Sequence, residues 1–116
     1  MKRKWELIRK ILIELEKDGS SWLESASIRE YDADTVAYHC WLLNEAGLIE
    51  MTKTSSTTGL DFGITLTWQG HEFLDKIRND SVWNKVKSVV QSKSLNLSFE
   101  VINGAAPSVI TAMLHN

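Results

Sequence analysis

Three observations predict an α+β fold for this 116-residue chain. Apolar residues recur every three or four positions near both ends. Two β-branched runs, at 48–54 and 62–67, flank a polar turn. Gly19, Asp32 and Gly47 punctuate the changes of period. The length suits one domain with a single core. A hydrophobic share of 43% and a charged share of 24% are ordinary for a globular protein.

Each element follows from a local pattern. Trp5, Ile8, Leu12 and Leu15, with Leu7 and Ile11 beside them, form one stripe of an amphipathic helix of about four turns. Asp18-Gly19 ends it, with Gly19 as a left-handed cap. Trp22, Leu23, Ala26 and Ile28 among polar neighbours read as a short strand, or extended segment, around 22–28. Asp32 then caps a helix over 33–46, which Gly47 stops. Strands over Leu48–Thr54 and Phe62–Thr67 enclose the loop "KTSSTTGLDFG". Thr67 caps the next helix, whose inner face holds Phe73, Leu74 and Ile77. Asn79-Asp80-Ser81 breaks and recaps the chain before Val82, Trp83, Val86, Val89 and Val90. After the polar turn "QSKSLNLS" comes a last helix, kinked or restarted at Gly104 and Pro107.

The order helix, short strand, helix, hairpin, helix is a winged-helix outline. The expected architecture is a single winged-helix-like domain over 1–116. Its core lies at 1–78 with a β-hairpin wing at 48–67, and 79–116 is a helical C-terminal extension. "YHCWLLNEAGLIE", "ITLTWQGHEFLDKIRNDSVWNKVK" and the opening "MKRKWELIRKIL" sharpen this. On these stretches the chain resembles a family of small, functionally uncharacterised winged-helix proteins of bacteria and prophages. The resemblance is weakest over 18–30 and 94–116. It implies a fold and a mobile-element origin but no activity. One departure stands out. Only about fourteen residues, read as strand and turn, separate the first helix from the helix that would read DNA, which leaves that helix without its usual bracing helix.

Charge is distributed unevenly around a net value of −2. Residues 1–10 hold five cations against Glu6, whereas residues 30–50 hold five acids and no Lys or Arg. At 100° per residue, Val36, Cys40, Leu43 and Gly47 face the core, flanked by His39, Leu42 and Ala46. Asp34, Ala37, Tyr38, Trp41, Asn44 and Glu45 face outward. DNA readers need donors for base edges and cations for phosphates, and this face offers two rings, one amide and carboxylates. Tyr38, Trp41, Asn44 and Ala37 are therefore the candidate interaction surface. Burial of its rings under residues 95–114 is the first expectation, because large apolar patches are usually covered. A protein or dimer contact comes second and nucleic acid third. Phosphate contacts would have to come from Lys2, Arg3, Lys4 and Lys53, or from the scattered Lys85, Lys87 and Lys93.

The remaining chemistry-bearing residues form no constellation. Adjacent side chains such as His39 and Cys40 diverge on a helix, so no metal is expected. Cys40 reads as a packed thiol, and it leaves no partner for an intrachain disulfide. His71 has no nucleophile or carboxylate pair beside it and reads as a hydrogen-bonding residue near the wing base. Trp68 and Trp83 read as packing anchors, and "TKTSSTTG" lacks a phosphate-loop pattern. Glu6, Arg9, Lys10, Glu14 and Glu16 interrupt the first apolar run, against both a signal peptide and a membrane span. The expectation is a cytoplasmic, non-enzymatic macromolecule-binding protein of phage or prophage origin, without cofactor or small-molecule substrate. It would act through a protein partner or self-association, the alternative being a DNA-binding regulator that uses the wing and basic termini.

Overall fold

The computed structural model describes residues 2–18, 25–56 and 59–115, with backbone only at 18, 52–56 and 59–62. Among these residues the fold is mixed α+β, with six helices and one two-stranded antiparallel hairpin. The chain divides into two compact units, Met1–His71 and Glu72–Asn116.

In the first unit, α1 (Trp5–Asp18) buries Leu7, Ile8, Ile11, Leu12 and Leu15. Side chains of this size contribute about 1.5–3 kcal/mol each when fully removed from water. That face packs on α2 (Ala26–Arg29), α3 (Ala33–Glu45) and the second hairpin strand. α3 starts at Asp32, whose carboxylate accepts the Thr35 backbone N–H at 2.8 Å. This bond holds the Asp32 carboxyl below the usual carboxylate range. α3 ends at Gly47, where φ is +79°, a conformation that costs a residue with a Cβ about 1–2 kcal/mol.

The expected strand over 22–28 is corrected in its described part. Residues 26–29 form α2, because the Ser25 hydroxyl accepts the Ser27 N–H and Ile28 drops into the core. A helix therefore does lie between α1 and α3, contrary to the expectation from the spacing. Trp22, Leu23 and the Gly19 cap lie outside the described residues.

Strands β1 (Ile49–Ser56) and β2 (Gly59–Leu66) pair from Ile49↔Leu66 to Ser56↔Gly59. The expected eleven-residue loop is thus almost wholly strand. Thr and Ser lengthen a ribbon as readily as they form a turn, since Thr is a good strand former. At the ribbon base, the Thr67 hydroxyl donates to the Gly47 carbonyl at 2.5 Å and accepts the Gly70 N–H at 3.0 Å. The Thr67 N–H donates to Leu48 O at 3.1 Å. The helix begun there, α4 (Trp68–Ile77), packs so closely that a Cβ at Gly70 would overlap the Leu48 carbonyl oxygen. Only glycine, with no Cβ, fits at position 70 without displacing one of the two segments.

The second unit holds the rest of α4, α5 (Asp80–Ser92) and α6 (Phe99–Leu114). Asn79 caps α5 by accepting two backbone N–H groups, and Ser98 caps α6. Val82, Trp83, Val86 and Val90 face Ile102, Ala106 and Val109 in the packing of α5 on α6. Phe73 stacks on Phe99 with centroids 4.8 Å apart, and Lys76 Nζ donates to Asn103 Oδ1 at 2.9 Å. The expected restart in the last helix does not occur, because α6 runs through Gly104 and Pro107 as one element.

Candidate functional site

The candidate surface is the outer side of α3, and a buried histidine fixes its orientation. Thr35, Val36, His39, Cys40 and Leu43 line the buried side. The His39 ring is fully enclosed. Its Nδ1 lies 2.8 Å from the Thr35 carbonyl oxygen, and its Nε2 accepts the Lys4 backbone N–H at 2.8 Å. A carbonyl can only accept, so Nδ1 carries the proton and the ring is the neutral tautomer. Both nitrogens are thereby used. Burial pushes the neighbouring Cys40 thiol up to about 12, so it remains a neutral, packed group. Among the described residues no group of three or more His, Cys, Asp or Glu is placed to hold a metal ion.

On the opposite side, Ala37, Trp41, Asn44, Asp34 and Glu45 are exposed and Tyr38 is half-buried. Trp41 keeps 52% of its surface. Within its own unit the ring is not covered, because position 41 lies on the opposite side of α3 from the buried residues 35, 36, 39, 40 and 43. Tyr38 lies beside it, with centroids 6.1 Å apart and planes tilted by 35°. The face is aromatic at its centre and acidic at its edges. No Lys or Arg occurs on α3.

The basic amino terminus is closer to α3 than its sequence position suggests. The His39 link ties Lys4 to the helix, and Lys4 Nζ lies 5.7 Å from the Tyr31 ring centroid. Lys10 Nζ lies 5.6 Å from the same ring and pairs with Glu30 at 2.7 Å. That hydrogen bond raises the Lys10 pKa, although an exposed pair of this kind adds little stability. Lys2, Arg3 and Lys4 are exposed, and Arg3 lies over Trp5 at 5.4 Å. The Lys53 side chain lies outside the described residues, while its backbone pairs with Phe62.

His71 is exposed, with Nδ1 3.9 Å from Glu16 Oε2. Trp83 is a buried anchor as expected, but Trp68 is 77% exposed. The line Gly70, Phe73, Leu74, Ile77 defines the buried side of α4, and position 68 lies about 200° from Gly70. The helical wheel could have shown this. Tyr31, which collects two ammonium groups, carried no comparable signal.

A family model described as "Hypothetical protein (DUF2513)" matches residues 2–96. A protein of Haemophilus influenzae named "Uncharacterized protein" is 47% identical over 117 residues, covering 98% of this chain and 99% of its own length. No solved structure matches the chain.

Proposed function

The chain belongs to the family described as "Hypothetical protein (DUF2513)", a description that names no activity, and from the geometry we propose a non-enzymatic protein-binding module. In this reading the first unit is a winged helix of phage or prophage origin. The order α1, α2, α3, hairpin, α4 supports the fold, and the resemblance of "LTWQGHEFL" and its flanks supports the origin. The outer face of α3 takes a protein partner or a second copy.

Trp41 is the observation that carries this reading. A half-exposed indole beside Tyr38 and Asn44, ringed by acids, matches the centre of a protein interface. A polyanion would be repelled by the same acids. Replacing Trp41 with Ala should change folding stability by less than about 0.5 kcal/mol, as for other exposed positions. The same change should abolish a dimer peak in sedimentation or retention of a purified partner. Loss of the folded state in Trp41→Ala would make the indole core and end the proposal.

The position of the amino terminus favours a second reading, DNA binding. Lys4 is tied to α3 through His39 and its Nζ lies 5.7 Å from the ring of Tyr31, just before the start of the helix that would contact bases in a helix-turn-helix protein. The α2 helix supplies the brace this reading requires. Affinity for random duplex should then fall steeply between about 50 and 200 mM salt and drop further with Lys2, Arg3 and Lys4 changed to Glu. A lack of binding at low salt removes it.

A further inference from the structure

The second unit contains an open trough of about 580 Å³ between α5 and α6. This lies within the roughly 300–1,000 Å³ usual for small-molecule sites. Its hollow has a sequence cause. Gly104, Ser108 and Ala112 recur every fourth residue along α6, and short side chains on that line leave space that Val90 and Val109 floor. Leu95 and Met113, both largely exposed for apolar residues, stand at its rim. Among the described residues, the charged groups lining it are Lys85 and Lys93. Lys85 stands on α5 and Lys93 at its C-cap, about 12 Å of helix rise away. The stretch from Ser81 to Phe99 contains no acid.

We propose that this trough binds a single-chain fatty acid, the acyl tail lying along the Gly104–Ser108–Ala112 line and the carboxylate meeting Lys85 or Lys93. The assignment rests on complementarity. A continuous apolar floor removes methylenes from water, and the ammonium groups that line it offer a charge opposite to that of the head group. A cationic amphiphile would meet two like charges and no carboxylate. The sequence alone gave no expectation of a small ligand, because neither helix shows the hollow until the two are packed together. This inference concerns the second unit and does not rest on the protein-binding reading of α3.

Titration of the full chain with dodecanoate, followed by calorimetry, tests it. Saturable one-to-one binding is expected, weakening about fourfold for each methylene removed, so that decanoate binds about fifteen-fold less tightly. Lys85→Glu with Lys93→Glu should weaken dodecanoate about tenfold and strengthen dodecyltrimethylammonium. Gly104→Leu should abolish binding. A Cβ there meets nothing within 4 Å and the residue is helical, so this variant should fold with an unchanged or raised melting temperature. Ala112→Leu is the second filling variant. Trp41→Ala should bind dodecanoate like the parent chain. An absence of heat with dodecanoate, equal affinity for dodecyltrimethylammonium, or undiminished binding in both folded filling variants would overturn the proposal. A concentration-dependent dimer lost in Gly104→Leu without dodecanoate would give the trough to a second copy and overturn it too.

Discussion

Helices α3 and α5 end on the same pair of backbone hydrogen bonds, one in each compact unit, yet the chain that leaves them meets opposite fates. In α3, Gly47 N–H donates to Asn44 O at 3.1 Å and Leu48 N–H to Leu43 O at 3.0 Å. In α5, Ser94 N–H donates to Gln91 O at 3.0 Å and Leu95 N–H to Val90 O at 3.1 Å. Both are Schellman closures with a left-handed residue at the turn. The first uses glycine at φ +79° and sends Leu48 into the core at 2% exposure. The second forces Ser94 to φ 56° and leaves Leu95 52% exposed at the trough rim. The same local geometry can therefore weld an element down or leave an apolar edge in water. The surroundings decide which.

The contrast extends to the cores. The buried polar residues of the described chain, Thr35 and His39, both lie in Met1–His71, where hydrogen bonds from Lys4, Thr67 and Gly70 set the register. The buried residues of Glu72–Asn116 are all apolar. A core set by directional bonds tolerates little slack, whereas one set by side-chain volume alone can keep a hollow.

The largest expected effect tests the welded region. Gly70→Ala must push α4 off the Leu48 carbonyl, and urea unfolding should show a loss of about 3 kcal/mol or more. A cost below about 1 kcal/mol would mean the ribbon base yields freely. His39→Ala comes next, at about 2–4 kcal/mol, from a cavity plus a stranded Lys4 N–H. If amide exchange at Lys4 did not accelerate in that variant, the His39 bond would not be holding the amino terminus. Gly47→Ala should cost about 1–2 kcal/mol through its positive φ. Ser94→Gly should raise stability by about 0.5–1 kcal/mol, the strain relieved being partly offset by added freedom in the unfolded chain. Equal and opposite shifts at 47 and 94 would make the two closures energetically alike, and a neutral Ser94→Gly would break the comparison.

Much of this was legible where a signal is local. The stripe of α1, the caps at Asp32, Thr67 and Asn79, and the stop at Gly47 each depend on residues within one turn of one another. The α2 helix was missed because four residues are too few to show a period, and Ser25 looks the same before a strand. The hairpin was shortened because "TKTSS" is polar, although strand pairing uses backbone groups that polarity does not reveal. On α3 the helical period alone separates the outward residues from the buried ones. The Lys4–His39 bond spans 35 residues, and the trough arises only where α5 and α6 meet. Neither leaves a mark in a local window.

Cys40 makes the first unit its own reporter. It is the chain's single thiol, enclosed on the buried side of α3 and pushed up to about 12. In the folded chain this burial keeps the sulfur from ionising to the reactive thiolate near neutral pH. Any reagent that consumes this sulfur must wait for the packing of α3 to open, when the ordinary acidity returns. The rate of labelling therefore counts those openings directly, with no cysteine introduced and no surface altered.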